Sequence, residues 1–196
     1  MLILGLGCTA QVGKDTAAEY LEKKYPGRAV RVSFADKVKA VVMDLFELSW
    51  EQCYGPIEVK EKIDPRYGLS PRQIMMGVGD KLREVYEPIW IECAFRSTVP
   101  MLKKKGYDLF IFSDVRYPNE ADIIRSSGGK IVRILRDGSG VLTNKEHASE
   151  TSLLEYPHFD FVVSNNGSIP EYCEKIDKII EEVGYGREKR EHLNGI

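Results

Sequence analysis

Lys14 stands between Gly13 and the pair Asp15-Thr16, directly after a short apolar run, Met1-Leu2-Ile3-Leu4-Gly5-Leu6-Gly7. A glycine, an ammonium and a hydroxyl in that order suit the holding of a phosphate anion. Backbone N–H groups of Gln11, Val12 and Gly13, with those of a helix opening at Lys14, can converge on the anion. The helix dipole adds positive potential, and the lysine reaches the outer phosphates. The fit to the phosphate-loop spacing is incomplete. Its first glycine falls on Cys8, with Gly7 one position early, and Asp15 stands where the hydroxyl is expected, ahead of Thr16. A Rossmann-like turn or an ordinary strand–helix connection with a chance lysine is the competing reading. The order of strand, glycine, lysine and hydroxyl favours phosphate.

A second place for chemistry is Asp114, at the end of the apolar run Tyr107-Asp108-Leu109-Phe110-Ile111-Phe112-Ser113. A carboxylate there can orient magnesium or its water shell, or it can cap the next helix. Arg116, two residues on, can fork onto a phosphate or form a surface ion pair with Glu120.

These residues need elements to position them. Apolar spacing through Ala17, Tyr20 and Leu21 predicts a helix from Lys14 to Lys24, stopped by Pro26-Gly27. A second strand is expected over 29–34 and a helix from Ala35 through Phe46. The pattern loosens from Glu47 to Ser70. There Ser70 as N-cap and Pro71 at the first helical position begin another helix. A further helix opens at Pro88 and continues to about Lys105. Then come a strand over 107–112, a helix from Pro118 to Ser126, a strand from Lys130 to Leu135 and a polar stretch from Arg136 to Asn144 with the composition of a lid. A short helix over 147–154, a strand from Phe159 to Ser164 and a helix from Ile169 to Val183 complete the chain. Strand–helix alternation predicts a parallel sheet with helices on both faces and a site beyond the carboxyl ends of its strands.

Composition bounds the rest. A chain of 196 residues with 43% hydrophobic content suits one α/β domain with a small helical insertion. A net charge of −2 and a pI near 6.0 argue against a nucleic-acid binder. No stretch reads as a membrane span or a signal peptide. Cys8, Cys53, Cys93 and Cys173 are scattered, which disfavours zinc and a disulfide framework and suits a reducing cytoplasm.

The run Ser113-Asp114-Val115-Arg116-Tyr117-Pro118-Asn119-Glu120-Ala121, with Gly128-Gly129-Lys130-Ile131-Val132-Arg133 after it, resembles the deoxynucleoside monophosphate kinase family known from bacteriophages. Gly13-Lys14-Asp15-Thr16, Ser33-Phe34-Ala35-Asp36-Lys37-Val38-Lys39, Ser70-Pro71-Arg72-Gln73 to Gly79-Asp80, His147 with Glu150, and Asp160 with Asn165 to Gly167 agree in order. The resemblance implies a P-loop NTPase fold, three-layer αβα with a five-stranded parallel sheet, as a single domain over 1–185. It also implies an acceptor-binding helical region over about 36–105, a lid over about 136–150 and a charged tail over 186–196. The implied reaction moves the γ-phosphoryl of ATP onto a deoxynucleoside 5′-monophosphate, with Mg2+.

The resemblance implies catalytic roles for Lys14, Asp114, Arg116 and Arg136, and donor binding by Gln11, Val12, Gly13, Lys14, Asp15, Thr16 and Asn166. Magnesium falls to Thr16 and Asp114, and the acceptor to Asp36, Lys37, Arg72, Arg83, Trp90 and Glu120. Several keep a plain alternative: Lys37 and Arg83 as solvated helix charges, Trp90 as a core anchor, Asn165-Asn166-Gly167 as a simple turn, Arg136 and Lys145 as loop charge. His147 and Glu150 share a helix face and read as a lid-stabilising pair rather than a metal site. Phosphomevalonate kinase of the animal type and dephospho-coenzyme A kinase are the rival enzymes, and a nucleotide-binding regulatory NTPase is the rival of another class. Thr16 and the Arg116-to-Glu120 run favour the nucleotide kinase. The expected setting is cytoplasmic, a host cytoplasm if the source is viral. The expected partner is a small nucleotide, with neither nucleic acid nor membrane, and with a homodimer left open.

Overall fold

The computed structural model describes residues 1–7, 11–138 and 151–186. Within these the chain forms two compact units, one of Met1–Val32 with the segment from Leu102 onward, the other of Ser33–Met101.

The first unit is built on five parallel strands: β1 Leu2–Gly7, β2 Ala29–Val32, β3 Leu109–Val115, β4 Lys130–Leu135 and β5 Phe161–Ser164. Their order is β2-β3-β1-β4-β5. β1 is buried at all six positions because both its faces are covered, and parallel strands so placed read as continuous apolar runs rather than alternating ones. Leu2, Leu4 and Leu6 point to one face. There they meet Ala17, Ala18 and Leu21 of helix α1 (Lys14–Lys24) and Tyr172, Ile176, Ile179 and Ile180 of the last helix, Ile169–Glu182. On the other face Gly5 lies against Ile131 and Ile124, the latter on the helix Pro118–Ser126. This is the three-layer α/β arrangement expected from the alternation.

The second unit is helical. It holds α2 (Asp36–Leu45), α3 (Trp50–Tyr54), α4 (Ile57–Glu61), α5 (Pro71–Val85) and α6 (Ile89–Glu92). Val42, Leu48, Cys53 and Ile74 form its buried cluster, with Met43, Phe46, Met75 and Val78 packed around it. The expected acceptor-binding region overlaps this unit. α5 opens on a full capping box, in which Ser70 Oγ accepts from Gln73 N and the Gln73 side chain accepts from Ser70 N.

Two differences from expectation have local causes. α3 and α4 fall in the stretch whose pattern looked loose, since five residues are too few to display a helical period. The single helix expected from Pro88 to Lys105 is instead α6, a π-helical turn over Cys93–Thr98, and α7 (Val99–Lys104). Pro100 lacks an N–H and its ring would meet the carbonyl four residues back. The wider turn relieves this, and Val99 N–H donates to the carbonyl of Ala94, five residues earlier. Among the described residues the remaining helices of the first unit are α8 (Pro118–Ser126) and α9 (Ile169–Glu182).

Candidate active site

Gln11 has φ 62° and Gly13 has φ 103° with ψ 19°, so both lie in the left-handed region. Lys14 then begins α1 and is nine-tenths buried. Left-handed residues interleaved with others turn successive N–H groups toward one side, the concave arrangement that binds anions. The N-terminal end of a helix adds its own donors and positive potential.

The loop is fastened from behind. Asn165 Nδ2 donates to the carbonyl of Val12 (2.8 Å), and the Tyr172 hydroxyl donates to the carbonyl of Gly13 (3.1 Å). A Cβ at Gly13 would collide with the Asn165 amide, so position 13 needs glycine for space as well as for its dihedral. Tyr172 is 1% exposed, and burial pushes its pKa up, which keeps the hydroxyl protonated as a donor. Neither fastening residue was foreseen in this role. They are more than 150 positions from their partners, and only the Asn165-Asn166-Gly167 turn signalled that anything lay there.

Asp15, in the place of the expected hydroxyl, has a definite setting. Its Oδ1 accepts from Arg31 Nη1 (3.3 Å) and from Ser113 Oγ (3.4 Å). The first helix is thereby tied to the ends of β2 and β3. Asp114 follows Ser113 on β3 and is half-buried. Arg31 was not foreseen; on a strand the sequence reads it only as an alternating polar residue. Thr16 is exposed on the first turn of α1.

Arg116 is half-buried just past β3. The Glu120 carboxylate accepts from the backbone N–H groups of Arg116 (2.8 Å) and Tyr117 (3.1 Å) and is 3% exposed. Glu120 thus caps α8 as the carboxyl half of a capping box, and this backbone duty departs from the substrate contact expected of it. Arg136 is exposed beyond β4, and the next residue, Asp137, donates its N–H to Asn166 Oδ1 (2.7 Å). The structure therefore brings Lys14, Asp15, Thr16, Asp114, Arg116, Arg136 and Asn166 to the carboxyl edge of one sheet. Cys8, Lys145, His147 and Glu150 lie outside the described residues.

In the helical unit, Asp36 opens α2 and its Oδ1 accepts from the Tyr54 hydroxyl (3.2 Å). Burial, with Asp36 beside it, pushes the Tyr54 pKa up to about 12. Lys39 Nζ lies 4.0 Å from the Tyr54 ring centroid. Lys37 is exposed. Arg72, in the first turn of α5, lies 3.4 Å from Glu61, and Arg83 pairs with Asp80 at 3.2 Å. Trp90 departs from the base platform expected of it: it is 3% exposed, and its indole N–H donates to the carbonyl of Gly79 (3.1 Å). A buried tryptophan with its donor satisfied is a packing anchor.

Comparison with known proteins gives these groups a family. The family model for deoxynucleotide monophosphate kinase matches residues 58–176. A protein of Acanthamoeba polyphaga mimivirus named as a deoxynucleotide monophosphate kinase is 34% identical over 191 residues, 92% of this chain and 97% of the relative. The deoxynucleotide monophosphate kinase of Escherichia phage RB69 is 30% identical over 112 residues, 57% of this chain and 45% of that one. Among solved structures, shikimate kinase from Aquifex aeolicus aligns with a TM-score of 0.44 at 16% identity, over 94% of this chain and 99% of its own. The family model and the two viral relatives favour a nucleotide kinase over the phosphomevalonate, coenzyme A-precursor and regulatory alternatives. The chain belongs to the deoxynucleotide monophosphate kinase family and is a nucleotide monophosphate kinase.

Proposed function

We propose that the protein transfers the γ-phosphoryl group of ATP to deoxynucleoside 5′-monophosphates, giving the diphosphates and ADP. The observation that supports this most is the loop at Gly13 and Lys14, an anion cradle at the carboxyl edge of a parallel sheet in a chain of this family. Phosphoryl transfer asks the protein for in-line positioning and charge neutralisation, with little covalent help. Lys14 and the loop N–H groups hold the β- and γ-phosphates, while Arg116 and Arg136 meet charge on the transferring group. Asn166 lies on the adenine side. In the helical unit Asp36, Lys37, Arg72 and Arg83 grip the acceptor, the two arginines reaching its phosphate and its base edge separately.

The Thr16 hydroxyl and the Asp114 carboxylate are hard oxygen donors of the kind magnesium prefers. No cluster of three or more acidic, histidine or cysteine ligands occurs among the described residues. That agrees with an ion held by one or two protein oxygens and by substrate phosphates rather than by a protein cage. When bound, Mg2+ would offset phosphate charge. Among the described residues no helix is long and apolar enough to cross a membrane. We take the enzyme to act in the cytoplasm on free nucleotides, and sedimentation distinguishes a monomer from a homodimer.

A coupled assay of ADP formation tests the proposal. Each deoxynucleoside monophosphate is added in turn, with the ribonucleotides as a second panel. At least one deoxynucleotide raises ATP consumption well above the rate without acceptor. Rates unchanged across both panels overturn the reading, and a response confined to ribonucleotides overturns the deoxyribose assignment.

A further inference from the structure

The hydrogen bonds behind the phosphate loop do more than brace it. A trans peptide is planar, with its C=O and the following N–H pointing in opposite directions. Fixing the carbonyl of residue 12 therefore fixes the N–H of Gly13, and fixing that of residue 13 fixes the N–H of Lys14. Asn165 holds the first carbonyl and Tyr172 the second. Both are drawn to the back of the loop, so the two N–H groups at the mouth of α1 point the opposite way. A carbonyl facing that mouth would repel the anion that the N–H attracts.

We infer that Asn165 and Tyr172 are positioning residues that aim two loop N–H groups at the donor's phosphates, an assignment resting on the proposed use of this loop for ATP.

Their own placement is firm. Asn165 N–H donates to the carbonyl of Leu135 (2.7 Å), extending the β4–β5 ladder by one bond, so its side chain projects from the sheet rather than from a loose turn. Tyr172 is buried on α9 with Ile176, Ile179 and Ile180. The neighbouring Asn166 accepts from Asp137 N–H, so the corner between β5 and α9 also holds the backbone just beyond Arg136. One corner thus sets the direction of the loop amides and anchors the segment that carries a second phosphate-directed cation. The Gly13 carbonyl also accepts the first bond of α1, from Ala17 N–H (3.1 Å). Tyr172 therefore shares its acceptor with the helix, and losing the hydroxyl costs less than losing the Asn165 amide.

The test uses the full chain and the variants Tyr172→Phe, which keeps the ring, and Asn165→Ala. Calorimetry measures the binding of tripolyphosphate, which has phosphates and no base, and of adenosine, which has a base and no phosphate. Tripolyphosphate affinity falls about threefold to tenfold in each variant, the effect of one net hydrogen bond, and further for Asn165→Ala than for Tyr172→Phe. Adenosine affinity stays at the wild-type value. In kinetics the KM for ATP rises while that for the acceptor holds. Unchanged tripolyphosphate binding overturns the inference, as does a lowered content of binding-competent protein with both affinities intact, the signature of a merely structural role. Adenosine moving instead of tripolyphosphate overturns it too. Binding needs no acceptor, so wild-type protein that binds tripolyphosphate but phosphorylates no monophosphate would fail the proposed function while leaving this inference standing.

Discussion

Lys14 is nine-tenths buried on the first turn of a helix, a placement that withdraws most of its side chain from bulk solvent. Lys14→Ala removes the ammonium charge and leaves the backbone cradle. Turnover then falls by at least about a hundredfold, on the scale of losing one transition-state donor, while the far-ultraviolet circular dichroism is unchanged. Near-normal turnover would remove the lysine from the mechanism. Asp64 carries a prediction of another kind. Arg66 donates to it from its backbone N–H and from two guanidinium nitrogens, Gln52 adds a fourth donor, and the Arg66 guanidinium holds its carboxyl well below the usual carboxylate range. A folded-state pKa below the unfolded value of about 3.9 means stability that is present above that pH and lost as pH falls below it. Wild type is therefore more resistant to urea than Asp64→Asn at pH 6, and the gap narrows from about pH 4 downward. A gap that stays constant to pH 2.5 would sink the assignment.

At the scale of elements, much could be read from punctuation. The observed bounds of α1, α8 and β4 coincide with the expected ones. Tyr25-Pro26-Gly27, Pro118 and Gly128-Gly129 mark those ends by chemistry that acts locally. α3 had a legible start in Ser49 and Gln52, which form a capping box, but its five residues leave no period to count. The π-helical turn was written in Pro100, whose consequence falls several residues earlier. Trp90 could not be resolved from its neighbours, because an aromatic on an amphipathic helix reads equally as anchor or platform. Asn165 and Tyr172 were invisible as supports, since strand order decides what they touch and no local pattern encodes strand order. Gly129 offers a test of element packing. A Cβ there would lie 2.7 Å from the carbonyl oxygen of Ile3 and 2.8 Å from that of Ile124. Backbone of β1 and α8 cannot yield as a side-chain tip can, so Gly129→Ala costs about 1–3 kcal/mol, read from the urea midpoint. A cost near zero would mean that the close approach of α8 to the sheet is softer than these distances imply.

For the molecule as a whole, the family and the three-layer sheet followed from motif order and alternation, while the way the chain is shared between its units did not. Both neighbours of the central strand come from far along the sequence: Leu2 pairs with Leu109, and Leu4 with Lys130. The helical unit, Ser33–Met101, is spelled out in between. On a ribosome adding about 5–20 residues per second, β1 waits roughly 5–20 s for its first partner. During that interval the strand, its phosphate loop and α1 exist as nascent chain with an uncovered apolar edge, while the helical unit can already close on itself. Ribosome-bound chains long enough to expose residue 101 but not β3 should accordingly show protease protection within 33–101 and none within 1–24. Chains long enough to expose β3 and β4 should gain protection at both. Early protection of 1–24 would mean that some contact outside the sheet shelters it. The glycine–lysine loop is thus made well before the strands that frame it, and a chaperone acting on the nascent chain in that interval would find the loop still without its scaffold.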